Sequence, residues 1–468
     1  MIVSSKLQLS GAFKSATILV SSNLKGGNKP MRKITFMILI VLFVFTLMYA
    51  QEKGKVTWWY ETVTPENLQG LINDLVKPFE NSHPGVEVEI TVKDQLREVL
   101  RAAIVAGEGP DIVMTMGPAE ANRYAKAGLL LPLDEYIRAA GLDSEIPSLF
   151  LDIGKVKGKV YSIPKTIESM GIIYNKSLFE ENGWKVPTNR EEWVTLCEKI
   201  KRKGIIPVAA GNSTWRPTNE HYVTVYLNHY AGPENVYKAL TGQMSWSDPI
   251  FVKAIEMFKN DFKKYWPDFS TYSTMAAEDI VPMVAMRQAA MLVIGTWGFQ
   301  WMGDPAYWPS DDEWGWAPFP SLNENVPYPI VDIGIGTTLS VNKNSEHPDL
   351  AADFLISMFK NKEGLAKLQR DFPGEWVAPV DIPSELIPEE VDPVFVEHIQ
   401  TQYKLLKEGN YGYTTWTFLG PETWQWCYEG IEKVWLDQMT PEEYMKKWDE
   451  IFKKELEEGI VPPVPPRR

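Results

Sequence analysis

Between residues 55 and 116 the chain alternates short apolar runs with amphipathic stretches, and this order constrains the fold more than any other feature. Residues 55–60 read as a strand. Thr64 then stands where a helix cap is wanted, and Pro65 takes the first helical position, where its missing N–H costs nothing. Leu68, Leu71, Ile72, Leu75, Val76 and Phe79 follow at helical spacing and give one apolar face. His83-Pro84-Gly85 breaks that helix, and residues 86–92 alternate as a strand does. A second helix carries Leu96, Val99, Leu100, Ala103 and Ile104; Gly109-Pro110 ends it, and residues 111–116 form the next strand. Strand, helix, strand, helix, strand predicts a parallel sheet with helices on its faces.

The pattern resumes further on. Residues 171–174, 206–210, 290–294 and 335–341 read as strands, and 189–203, 348–360 and 440–456 as helices. The last helix has a capping box in Thr440 and Glu443, with Gly459 as its stop. At 468 residues the chain exceeds what one compact core organises, which predicts two lobes. No flexible linker, internal repeat or coiled-coil heptad occurs, so the chain is expected to cross between the lobes more than once.

Charge and missing motifs narrow the chemistry. The formal net charge is −14, a field that repels polyanions and makes nucleic acid and acidic membrane surfaces poor partners. There is no G-x-x-x-x-G-K-[ST], G-x-S-x-G or H-E-x-x-H, and Gly334-Ile335-Gly336 lacks the third glycine of a dinucleotide fingerprint. None of His83, His221, His229, His347 and His398 falls into a metal-ligand cluster; His221 and His229 are read as surface or core residues. No cofactor, no metal and no enzymatic reaction are expected. The two cysteines, Cys197 and Cys427, leave a disulfide open, since sequence does not fix their separation. The unusual feature is 18 Trp beside 19 Tyr and 19 Phe, more indole than packing alone requires.

Met31-Arg32-Lys33, an apolar run at 34–47 and Ala50 before polar Gln51 have the layout of a secretory signal peptide. The run is short for a membrane span, although retention as an anchor stays open, and no cysteine near the cut offers a lipid site. Residues 1–50 are read as leader and signal, with Met31 as the expected true start, and residues 461–468 as a stiff Pro-rich tail.

The segment Pro164-Lys165-Thr166-Ile167-Glu168-Ser169-Met170-Gly171-Ile172-Ile173-Tyr174-Asn175 resembles the signature of bacterial extracellular solute-binding proteins, family 1, the sugar-binding components of ABC importers. Lys165 departs from it, because an apolar residue is usual there. Matching blocks follow in order: 79–86, 106–113, 127–130, 288–291 with 295–297, and 336–341. The resemblance implies an α/β, type II periplasmic binding fold, with discontinuous lobes joined by a multi-segment hinge. Residues 51–164 with about 333–385 would form one lobe, and 165–332 with about 386–460 the other. It also implies an exported, periplasmic or extracytoplasmic monomer that clamps a carbohydrate, expected to be an oligosaccharide, and delivers it to membrane permease subunits. The alternatives are a binding protein for a non-sugar solute and an exported carbohydrate-active enzyme.

Sugar rings have apolar C–H faces and hydroxyl edges, so a binding cleft stacks aromatics on the faces and sets carboxylates or amides at the edges. Trp297 leads the candidates, since it follows the strand 290–294 and aligns with a sugar-stacking tryptophan of the family. Trp301 lies nearby. Glu168 stands seven residues before Asn175, the offset of a ligand-contacting glutamate in the family's maltose-binding member. Tyr60 and Glu61 end the first strand at the carboxyl edge of its sheet, where α/β clefts bind ligands. Trp215, Trp376 and Trp416 complete the set from loops rich in hydrogen-bonding residues, whereas Trp424, Trp426 and Trp435 fit the packing face of a helix at 421–438. Met116-Gly117-Pro118-Ala119 replaces an Asp-Arg pair of the maltose-binding member, so a maltose code is not implied.

Overall fold

The computed structural model describes residues 54–276 and 278–466. The expected leader, signal peptide and start site therefore lie outside the described residues. In chain order the strands are β1 (Gly54–Tyr60), β2 (Val86–Val92), β3 (Ile112–Thr115), β4 (Lys155–Val156), β5 (Lys159–Val160), β6 (Ile163–Pro164) and β7 (Ile167–Asn175). They continue as β8 (Ile206–Ala209), β9 (Ala289–Gly295), β10 (Trp314–Ala317), β11 (Val331–Ile335), β12 (Thr338–Val341) and β13 (Tyr411–Tyr413).

Two main sheets result. One has the order β2-β1-β3-β12-β6, the other β13-β11-β7-β9-β8 with β10 also on β7. β1 runs parallel to β3, as strand–helix alternation predicts, but β12 lies antiparallel to both β3 and β6. The second sheet mixes antiparallel β7–β9 and β7–β11 pairs with parallel β8–β9 and β11–β13 pairs. The parallel order expected from residues 55–116 thus holds for β1 and β3, while the later strands make both sheets mixed. Local alternation reports only neighbouring units, and strands that return from the other sheet enter in the opposite sense.

Residues 335–341, expected as one strand, are two strands in different sheets, β11 ending at Ile335 and β12 beginning at Thr338. Both halves are buried, so the apolar run looks continuous in sequence. The chain changes sheet between β6 and β7 and again between β11 and β12. These crossover segments bond to each other: Lys165 N–H donates to the Thr337 carbonyl at 2.9 Å and Gly336 N–H to that of Thr166 at 3.3 Å. A third segment joins them, because Ile167 N–H donates to the Val377 carbonyl at 2.7 Å. Three stretches that are far apart in sequence therefore run side by side at the passage between sheets.

The helices follow the sequence signals. Thr64 caps Pro65–Leu71 through the Asn67 N–H, and Thr440 with Glu443 forms the reciprocal capping box of Pro441–Glu457. Asn189 caps Arg190–Arg202, which buries Trp193, Leu196, Cys197 and Ile200. Cys197 and Cys427 are both free and buried, so no bridge joins them. Trp435 is core, its ring stacked on Phe262 at 3.9 Å.

Candidate binding site

The residues named in advance, with one exception, gather around the crossover segments, all within one compact unit made of residues 55–79 and 88–468. At the carboxyl end of β1, Tyr60 is buried and its hydroxyl receives the Trp376 indole N–H at 2.9 Å. The Lys165 ammonium reaches the same hydroxyl at 3.3 Å and stands 3.7 Å from a Glu61 oxygen. It also lies 5.3 Å from the Tyr60 ring centroid and 5.2 Å from that of Trp376, within cation–π range. Lys165 is fully buried. Its departure from the family pattern thus puts a cation among two aromatic faces and a carboxylate.

Glu168, on β7, accepts the Trp416 indole N–H at 3.0 Å. Trp416 belongs to the short helix Thr415–Phe418, which is pinned over β11 because Ile335 N–H donates to Thr417 Oγ1 at 2.8 Å. The two glycines once weighed as a fingerprint fragment have another use. A Cβ at Gly336 would lie 2.1 Å from Glu168 Oε1, and one at Gly334 would lie 2.9 Å from the Trp416 ring. Only hydrogen leaves both side chains their places.

Trp297 sits in the turn Thr296–Gly298 that follows β9. Its ring centroid is 4.7 Å from that of His221 and 5.7 Å from that of Trp416, the indoles meeting edge to face. His221, on the helix Thr218–Tyr226, also lies 5.4 Å from Trp416 and 5.4 Å from Trp215. Trp215 is 46% exposed and forms the open side of this group. Thr218 Oγ1–H donating to its carbonyl at 2.7 Å holds its loop. The loop of Glu375 and Trp376 packs directly on Trp297's turn: Gly374 takes φ +82°, and a Cβ there would fall 1.9 Å from the Thr296 carbonyl oxygen. Gln300 Nε2–H donates to Glu375 at 3.3 Å.

Trp301 is the exception. Its ring lies 5.9 Å from Tyr307 and packs on the hydrophobic cluster of β9 that includes Leu292 and Met302. Trp424, read as packing, donates its indole N–H at 2.6 Å to Glu220, whose same oxygen accepts Thr415 Oγ1–H at 3.0 Å. Sequence reasoning missed His221, Glu220 and Glu375 and took Lys165 only as a departure. The Gly334 and Gly336 pair signals the close approach of Trp416 and Glu168, and nothing local in the sequence marks the other four.

Burial sets the charges. It pushes the Glu168 carboxyl up to about 8, with the nearby Glu375 charge adding to it, while the Trp416 N–H and Lys165 oppose. Glu220 is likewise pushed up to about 8 by burial, and Glu375 is raised for the same reason. Burial alone would pull Lys165 down; the Tyr60 hydroxyl with Glu61 and Glu375 holds it above its ordinary value. His221 is lowered to about 3 by burial and stays neutral. Flat rings, carboxyl groups and a neutral imidazole thus converge, a combination suited to apolar faces edged with hydroxyls. Among the described residues no group of three or more His, Cys, Asp or Glu is placed to hold a metal. A cavity of ≈ 470 Å³ lined by Asn122, Lys126, Lys155, Val156, Lys157, Val461 and Pro463 has no aromatic ring in its wall.

Comparison with known proteins agrees with the architecture. A family model described as bacterial extracellular solute-binding protein matches residues 61–364. An uncharacterized ABC transporter extracellular-binding protein of Pyrococcus horikoshii is 24% identical over 306 residues, 64% of this chain and 65% of that relative. A maltotriose-binding protein of Pyrococcus abyssi is 27% identical over 280 residues, 58% of this chain and 54% of that relative. The matched stretches span less than two thirds of these relatives. Among solved structures, a chitin oligosaccharide binding protein superposes with a TM-score of 0.70 at 22% identity, covering 86% of this chain and 98% of the other. Maltose-bound MalE3 of T. maritima gives 0.64 at 20% identity, covering 86% and 99%. These likenesses establish the type II periplasmic binding fold. No described helix is long and apolar enough to cross a membrane.

Proposed function

This chain belongs to the bacterial extracellular solute-binding protein family, and we propose that it captures a carbohydrate, an oligosaccharide, and hands it to the membrane permease of an ABC importer. The observation that carries this reading is the Trp215, Trp297 and Trp416 group around His221, with Glu168 bonded to Trp416. Indole faces suit the C–H faces of sugar rings, and carboxyl groups bond the hydroxyls at their edges. One relative binds maltotriose and one structural neighbour binds chitin oligosaccharide, which point the same way.

The two lobes meet along the crossover segments 165–167, 336–337 and 376–377. Closure about them brings Glu61 towards Trp297, Trp416 and Glu168, with the buried Tyr60–Trp376 pair as its support, and it is driven by a ligand that contacts the closed form better than the open one. Trp301 supports this surface from below rather than touching ligand. The protein acts outside the cytoplasm as a monomer, exported by its signal peptide, and releases its ligand chemically unchanged. It requires no cofactor.

A thermal-shift screen against maltotriose, xylotriose, chitotriose and stachyose tests the reading, because a ligand that binds only the folded state raises its melting temperature. At least one saccharide is expected to raise it and to be recovered intact. Hydrolysed product would assign an enzyme instead. Stabilisation only by a polyamine, a peptide or a polyol phosphate would assign a non-sugar solute.

A further inference from the structure

His221 has no polar partner. The ring is 4% exposed, surrounded by Trp215, Trp297 and Trp416 at centroid distances of 5.4, 4.7 and 5.4 Å, and it forms no hydrogen bond among the described residues. The other two buried histidines each keep one hydrogen-bond contact: His229 Nδ1 lies 3.1 Å from the Pro320 carbonyl, and His398 Nε2 lies 3.5 Å from Ser169 Oγ. An imidazole has one N–H to donate and one nitrogen to accept, and at His221 no protein group among the described residues takes up either. A phenylalanine would fill the same aromatic nest, so packing alone does not call for the two ring nitrogens.

We propose that His221 is a ligand-reading residue, whose ring nitrogens hydrogen-bond a hydroxyl of the captured saccharide from the middle of the tryptophan group. This rests on the saccharide reading above and deepens it. The three indoles take the C–H faces and fix the imidazole plane, so the hydrogen-bond direction is set before ligand arrives. A neutral imidazole offers one donor and one acceptor, and a hydroxyl offers the same pair in return. Burial keeps the ring neutral, its pKa lowered to about 3, so it gives an anionic substituent no charge to pair with. The saccharide hydroxyl recognised here is therefore uncharged, on a ring that stacks beside Trp297.

The test is calorimetric titration of the full chain with maltotriose, xylotriose and chitotriose, for wild type, His221→Phe and His221→Gln. His221→Phe keeps an aromatic ring among the indoles and is expected to melt close to the wild-type temperature while binding the best of these saccharides at least tenfold more weakly. His221→Gln restores a donor and an acceptor and is expected to recover part of the loss. With 15N-histidine labelling, the chain's five histidines give a simple ring-nitrogen spectrum. His221 signals, assigned by their loss in His221→Gln, are expected to move on saturation. Unchanged affinity in His221→Phe, or unmoved His221 signals in a saturated wild type, would overturn the assignment and leave the saccharide reading standing. Failure of the wild type to bind any of the three, or stachyose, would bring down both.

Discussion

Replacing Gly336 by alanine probes how tightly the site is built. The Gly336 backbone lies outside the left-handed region, so alanine brings no backbone strain. The damage is local. The new Cβ would stand 2.1 Å from Glu168 Oε1 and 2.6 Å from the carboxyl carbon, against a contact distance of about 3.5 Å. Glu168 therefore has to move by roughly 1 Å, a shift taken up at the far end of its flexible, partly buried side chain. Its other oxygen then leaves the Trp416 N–H, which it holds at 3.0 Å. Losing that bond with the indole N–H half-buried costs about 1–3 kcal/mol. The assay is a cycle of four proteins, wild type, Gly336→Ala, Glu168→Ala and the double variant, melted without ligand and titrated with the best saccharide. Glu168→Ala removes the obstacle, so Gly336→Ala is expected to cost little in that background, leaving a coupling of about 1 kcal/mol or more. Equal losses in both backgrounds would show that the glycine is not there to seat Glu168.

Three further outcomes follow from the same contacts. Trp297→Ala removes the ring between His221 and Trp416 and is expected to weaken saccharide binding at least tenfold, about 1.4 kcal/mol by titration calorimetry, with the fold retained by circular dichroism. Because the Glu168 carboxyl is raised to about 8, the folded chain keeps a proton there that the unfolded chain gives up near its ordinary value of about 4.3. The stability this proton confers is full at low pH and is lost as pH rises towards 8. Glu168→Gln cannot ionise and still accepts the Trp416 N–H, so its melting temperature is expected to gain on wild type steadily from about pH 5 to about pH 8, whereas a constant gap would contradict the burial argument. Trp376→Phe deletes the 2.9 Å bond to Tyr60, whose hydroxyl keeps only Lys165 at 3.3 Å, and is expected to lower stability by about 1 kcal/mol in denaturant titration.

How much was legible in sequence depended on how local each feature is. The capping box of Thr440 and Glu443 and the alternation through β1, β2 and β3 are written within a few residues, and the helices and strands form where those signals stand. The break between Ile335 and Thr338 is not local: it depends on which sheet each half joins, and an apolar run gives no sign of that. Among the candidate site residues, Trp297 and Glu168 could be named from the family resemblance, Tyr60 from its place at the end of β1, and Trp416 from its aromatic, Thr-containing stretch. Trp301, four residues beyond Trp297, carries the same signal and packs on the same β9 cluster, but its ring neighbour is Tyr307 rather than His221 and Trp416. His221 was passed over because a lone histidine in a helical stretch looks like packing, and its want of a partner emerges only once three indoles from separate loops surround it.

The most direct measurement is a crystal structure of the protein with the saccharide that stabilises it best. The expected density is an uncleaved saccharide with ring faces against Trp297 and Trp416, hydroxyls bonded to Glu168 and His221, and Glu61 closed over it. A ligand seated away from these indoles, or a cleaved one among them, would contradict capture of an intact sugar by an aromatic clamp.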